Sequence, residues 1–193
     1  MHKWMYQTYD IGCVLIRDDA AHKAALETGA SYLSPIKGGL RDAPDDLSSY
    51  AIQLSRGFRA LKIWFALTSD GVSAYRNAIE QNLALADCLR DRIDGDRRLE
   101  RLAAVPLHIV NFRYIDGVEE SRLDVVNEEI VRRLHIEGIA VPSPTFIRGR
   151  FSIRVCISNH RTRHEDIDLF LSAVLNIGRQ LEAEQFGVAK GGL

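Results

Sequence analysis

The run Ile11-Gly12-Cys13-Val14-Leu15-Ile16-Arg17 constrains the fold most strongly. It is short, apolar and bounded by charge, so it reads as a buried strand. One strand cannot be stable alone, because its unpaired backbone groups need neighbours. Helical patterns dominate downstream until about residue 105, so the partners of this strand are hard to find within the chain. Residues 28–50 carry Gly29, Pro35, Gly38, Gly39 and Pro44 among several Asp and Ser, which is loop chemistry. A loop of that length in a compact domain is usually functional or mobile.

From Gln53 the periodicity becomes helical. Leu54, Phe58, Leu61, Trp64 and Phe65 recur at three and four residues and predict a core-facing stripe. Gly71 is a break. Val72, Tyr75, Ile79, Leu83, Ala86 and Ile93 form a second stripe that ends in charge around Gly95. The last ninety residues read as alternating strands and helices. Val105 to Tyr114 is strand-like. Ser121 and Asp124 make an S-x-x-D capping box before the stripe Leu123, Val126, Ile130, Leu134, and Gly138 stops that helix. Ile139 to Ile147, interrupted by Pro142 and Pro144, suits an edge strand. Arg148-Gly149-Arg150 is a turn, and Phe151, Ile153, Val155 and Ile157 alternate with Ser152, Arg154, Cys156 and Ser158 as a half-buried strand. Thr162, with Glu165 three residues on, caps a last helix whose Ile167, Phe170, Val174, Ile177 and Leu181 face the core. Residues 186–193 are expected to fray. There is no internal repeat.

Composition excludes several function classes. Of 193 residues, 46% are hydrophobic and 26% charged, which is globular rather than disordered. A formal charge of −1 gives no basic excess to bind nucleic acid without sequence preference. No apolar run reaches a membrane span and no signal peptide opens the chain. Cys13, Cys88 and Cys156 are odd in number and far apart, and they read as buried small hydrophobes in a reducing cytoplasm. His108, His135, His160 and His164 lack a common ligand spacing, so no metal is expected.

Lys3 lies between His2 and Trp4. An amine beside an imidazole and a large aromatic suits a Schiff-base lysine, which must lose a proton and reach a carbonyl carbon. Taken alone, the tripeptide is weak evidence for that chemistry and reads first as a solvated terminal lysine. Three blocks decide between these. His2-Lys3-Trp4 followed by Asp10 resembles the cofactor-lysine segment of the group II pyridoxal-phosphate decarboxylases, which act on aromatic amino acids, glutamate, tyrosine and histidine. Gln53-Leu54-Ser55-Arg56-Gly57-Phe58-Arg59-Ala60-Leu61-Lys62-Ile63-Trp64-Phe65 resembles the same family's QLSRxFRALKxWF block. Gly149 to Ile157 with Asn159-His160-Arg161-Thr162 resembles its C-terminal strand and turn.

The resemblance spans essentially the whole chain and carries expectations with it. The fold is α/β, a PLP-dependent transferase of the aspartate aminotransferase-like fold type I. It is truncated to the end of the large domain (residues 1–71) and a small α+β C-terminal domain (residues 72–193). The cofactor is pyridoxal 5'-phosphate. Lys3 forms the internal aldimine, and His2 lies near the cofactor phosphate and ring. Tyr32, 29 residues after Lys3, matches the mobile-loop tyrosine that protonates the quinonoid carbon after carbon dioxide leaves. Arg56 matches an arginine of the active-site region and is a candidate for support there. Arg56 and Arg59 could equally pair with carboxylates and cap a helix. The activity implied is that of a carboxy-lyase turning an L-amino acid into an amine, in a cytoplasmic homodimer with no nucleic-acid or membrane partner. The family carries a long part before the lysine, so the chain reads as a C-terminal portion. The alternative is an inactive fragment or relic acting only as a structural or dimerisation domain.

Overall fold

The computed structural model describes residues 2–26, 32, 36–39 and 47–189, the last five by backbone alone. It divides into two compact units, Met1–Ser69 and Asp70–Leu193.

The first unit is short of regular structure. Residues 2–5 form a turn and residues 11–16 an irregular stretch, followed by α1 (Asp19–Leu26) and a 3-10 turn at Leu47–Tyr50. α1 starts where the Asp18 carboxylate accepts the Ala21 N–H at 2.9 Å. The strand expected at 11–17 does not form, and Leu15 is 92% exposed. The reason is the one the sequence posed: no described strand of this unit offers it a ladder. The stripe from Leu54 to Phe65 is also not buried. The helix α2 (Ala60–Asp94) begins seven residues after Gln53, and Leu54, Phe58, Trp64 and Phe65 are exposed. Most of the loop expected at 28–50 lies outside the described residues.

Gly71 interrupts α2 with φ 76° and ψ 160°, a conformation that side chains with a Cβ rarely adopt. Beyond it the second unit begins to bury side chains. Its buried helix face is Asn82, Leu85, Ala86, Leu89 and Ile93 rather than the stripe starting at Val72. Spacings of three, one, three and four keep those five on one side of a 3.6-residue helix, and Val72 faces solvent.

Four antiparallel strands follow the order β1-β2-β4-β3: β1 (Leu99–Arg101), β2 (Ile109–Tyr114), β3 (Ser143–Ile147) and β4 (Arg150–Cys156). Val110, Phe112 and Tyr114 alternate on β2, with Phe112 opposite Ile153 of β4, and all four are fully buried. The C-terminal part of α2 joins α3 (Leu123–Ile136) and α4 (His164–Ala189) in one core cluster with that face. Phe170 of α4 meets Phe112 edge to face at 6.1 Å. Each such side chain contributes about 2–3 kcal/mol by leaving water. Gly178 of α4 lies so close to the Tyr114 ring that an added Cβ would sit 2.7 Å from it.

Polar groups fix this packing. Asn127 accepts the Tyr114 N–H at 2.7 Å and donates to the carbonyls of Tyr114 (2.9 Å) and Leu123 (2.8 Å), so helix and strand are joined by an amide with no exposure. Arg113 points away from the core face. It is held between Glu100 at 2.7 Å and Glu120 at 3.0 Å, so the buried cation is paired.

The helix ends differ in detail from the expectation. Ser121 sits inside a 3-10 turn (Glu120–Arg122), and no side chain caps α3. Asp124 instead accepts the Phe151 N–H at 2.8 Å, a tertiary bond that outcompetes the local box. Gly138 does end α3, at φ 67°. The Gly138 N–H reaches the His135 carbonyl and the Ile139 N–H the Leu134 carbonyl, which is the Schellman pattern. At α4 the reciprocal bond is one residue later than Thr162–Glu165: the Arg163 N–H donates to Asp166 at 2.8 Å. α4 runs on to Ala189, through residues expected to fray, and 190–193 lie outside the described residues. The cysteines do not behave as core residues. Cys13 and Cys156 are exposed and Cys88 is half-buried.

Candidate active-site segment

The site residues named from the sequence fall in the first unit. Residues 2–5 form a turn because the Tyr6 N–H donates back to the Lys3 carbonyl at 3.0 Å. The turn presents Lys3 to solvent. His2 lies flat on Tyr9, with ring centroids 4.5 Å apart and planes 28° apart, so residues 2–9 close into a small loop. The Gln7 amide donates to the Met5 carbonyl at 3.0 Å inside it.

Two residues of the QLSRxFRALK block reach back to this loop. The Arg59 Nε donates to the Asp10 carboxylate at 2.7 Å. The Lys62 Nζ donates to the Thr8 and Tyr9 carbonyls at 3.3 and 3.2 Å. A backbone hydrogen bond of Asp10, then the Arg59 guanidinium, hold the Asp10 carboxyl below the usual carboxylate range. His2, Tyr9, Asp10, Gly12, Gln53 and Arg59 line a cleft of about 480 Å³ together with Ile11. Arg56 is exposed and borders a neighbouring cleft of about 700 Å³ with Gly12, Leu54 and Phe58.

His2 and Lys3 are therefore adjacent in one turn, while Arg56 borders a different cleft from the one His2 lines. Tyr32 is 77% exposed, and no described contact joins it to Lys3. The residues that the sequence did not single out as a set are Asp10, Arg59 and Lys62. Asp10 and Arg59 are 49 residues apart in the chain, and no local spacing signals such a pair.

Comparison with known proteins gives this arrangement a family. The profile of the pyridoxal-dependent decarboxylase conserved domain matches residues 1–115, and the chain belongs to that family. The aromatic-L-amino-acid decarboxylase of Bacillus atrophaeus is 31% identical over 168 residues, covering 86% of this chain and 35% of the relative. Tryptophan decarboxylase 1 of Oryza sativa is 30% identical over 165 residues, covering 82% of this chain and 32% of the relative. Among solved structures, Oryza sativa TDC with PLP and tryptamine matches with a TM-score of 0.74 and 24% identity, over 83% of this chain and 34% of the other. Mouse CSAD matches at 0.69 and 19%. These likenesses show that the chain shares its α/β fold with part of each of those structures. The chain spans about a third of the length of the relatives it matches.

Proposed function

We propose that this chain is the C-terminal portion of a pyridoxal phosphate-dependent carboxy-lyase that converts an L-amino acid to an amine and carbon dioxide. The observation that carries the reading is the match of the decarboxylase profile to residues 1–115, which include the Lys3 turn and the Arg56 block. In this reading residues 1–71 end the large cofactor domain and residues 72–193 form the small domain.

The donor set fits the cofactor. Lys3 offers a primary amine on a solvent-facing turn, the chemistry an aldehyde requires. His2, braced flat against Tyr9, offers an aromatic face and a ring nitrogen beside it. When bound, pyridoxal phosphate supplies an electron sink for the pair left by the departing carboxylate. Tyr32 holds a proton on its phenol oxygen and delivers it to the substrate α-carbon. Arg56 supports the neighbouring cleft. Homodimerisation and a cytoplasmic location follow from the family resemblance, and no described helix is long and apolar enough to cross a membrane.

One observation favours a second reading, an inactive fragment acting as a structural or dimerisation domain: the described core lies wholly in the second unit. Exposure of the 193-residue chain to pyridoxal phosphate separates the two. The enzyme reading expects a visible absorbance band and, after borohydride, a pyridoxyl group mapped by mass spectrometry to Lys3, both lost in Lys3→Ala. Pyridoxyl groups on other side chains with none on Lys3, or none at all at saturating cofactor, overturn the assignment of Lys3 and leave the second reading.

A further inference from the structure

We propose that Arg59 and Lys62 are positioning residues that clamp residues 8–10 and so fix the Lys3 turn. The inference rests on Lys3 being the cofactor-bearing residue, and it assigns a mechanical role to the QLSRxFRALK block that follows it in sequence.

The loop from His2 to Tyr9 is tied within itself by the Tyr6-to-Lys3 bond and the His2–Tyr9 stack. Nothing in those ties fixes the loop to the rest of its unit. Residues 6–8 and 11–16 have no regular structure, so no ladder anchors their backbone. Described side-chain bonds reach the loop from the start of α2 and the residue before it. Arg59 immediately precedes its first residue and Lys62 is its third, a three-residue spacing that puts both on one helix face. The chemistry of each suits its target. The ammonium of Lys62 has three rotatable donors and takes two successive carbonyls, Thr8 and Tyr9. The planar fork of Arg59 gives its Nε to Asp10 and Nη1 to Gln53 at 3.5 Å. Since His2 rests on Tyr9, pinning 8–10 pins both ends of the loop that carries Lys3.

Magnitude decides how to test this. The Arg59 and Asp10 side chains are 40% and 73% exposed, and an exposed ion pair contributes little alone. The clamp works through three bonds that converge on three residues, so both anchors must be removed together. In the 193-residue chain without cofactor, amide exchange in residues 3–10 is expected to rise about fivefold in the Arg59→Gln/Lys62→Gln double variant, with residues 109–114 unchanged. With Lys62→Gln also present, the charge-exchanged Asp10→Arg/Arg59→Asp chain should recover much of the protection that Arg59→Gln removes from that background. Unchanged exchange at 3–10 overturns the proposal. Faster exchange at 109–114 as well overturns it in favour of a general folding role.

Borohydride trapping supplies the second arm. The share of pyridoxyl groups on Lys3 relative to the other lysines should fall severalfold in the double variant, and an undiminished share overturns the positioning role. If the unaltered chain carries no adduct at Lys3, the cofactor reading fails, and with it the purpose assigned to the clamp. The exchange arm then judges the clamp as a structural tie alone.

Discussion

Between Asn82 and Leu181 the molecule buries Leu89, Phe112, Tyr114, Ile130, Ile153 and Val174 almost completely, whereas among the described residues of the first unit no side chain is buried. Both regions carry apolar residues at regular spacing. The second unit brings a sheet and three helices to one cluster, so its apolar faces find each other. The first unit has Val14, Leu15, Phe58, Trp64 and Phe65 in water, and it is held instead by a stacked ring pair and a few charged hydrogen bonds. Periodicity in a sequence thus records an intention to be buried. Whether the burial occurs depends on partners that the pattern does not name.

The contrast can be broken most sharply with paired truncations. Phe112→Ala removes a fully buried ring and is expected to cost about 3–5 kcal/mol in urea unfolding. Phe58→Ala, at a side chain 73% exposed, is expected to stay within about 0.5 kcal/mol. Similar costs at the two positions would dissolve the comparison. A finer version uses glycines. Gly178→Ala drives a methyl into the Tyr114 ring and is expected to destabilise by about 1–3 kcal/mol, while Gly57→Ala has nothing within 4 Å and should be near neutral by the same measurement.

The smallest effect is electrostatic. Glu129 accepts from Arg132 at 2.5 Å and from Arg133 at 2.9 Å. The Arg132 hydrogen bond first, then the Arg133 bond, push its carboxyl down to about 2 from an ordinary 4.5. The folded value is the lower one, so the stabilisation is complete above 4.5 and is lost as pH falls toward 2. The urea midpoint of the second unit should decline over that window, and Glu129→Gln should flatten the decline. An identical slope in the variant would remove Glu129 from the account.

Much of the second unit was legible because its signals are local. Alternation gave β4, two prolines gave the edge strand β3, and Arg148 and Gly149, both at positive φ, gave the turn between them. Gly71 and Gly138 marked real breaks. The edge strand β1 escaped because only Leu99 of its three residues is buried, so it shows no alternation within a charged stretch. The Ser121–Asp124 box misled because Asp124 is bound across the fold by Phe151. In the candidate site, the adjacent pair His2 and Lys3 was legible as chemistry. The grip of Arg59 on Asp10 was not, because it is a contact between distant segments with no period to betray it.

Pro144 has one more consequence. It stands in β3, the outer strand beside β4, and a proline has no N–H to lend on either side. A neighbouring molecule that tried to extend the sheet there would meet a gap in the row of donors. Fibril-like stacking through that rim is thereby discouraged.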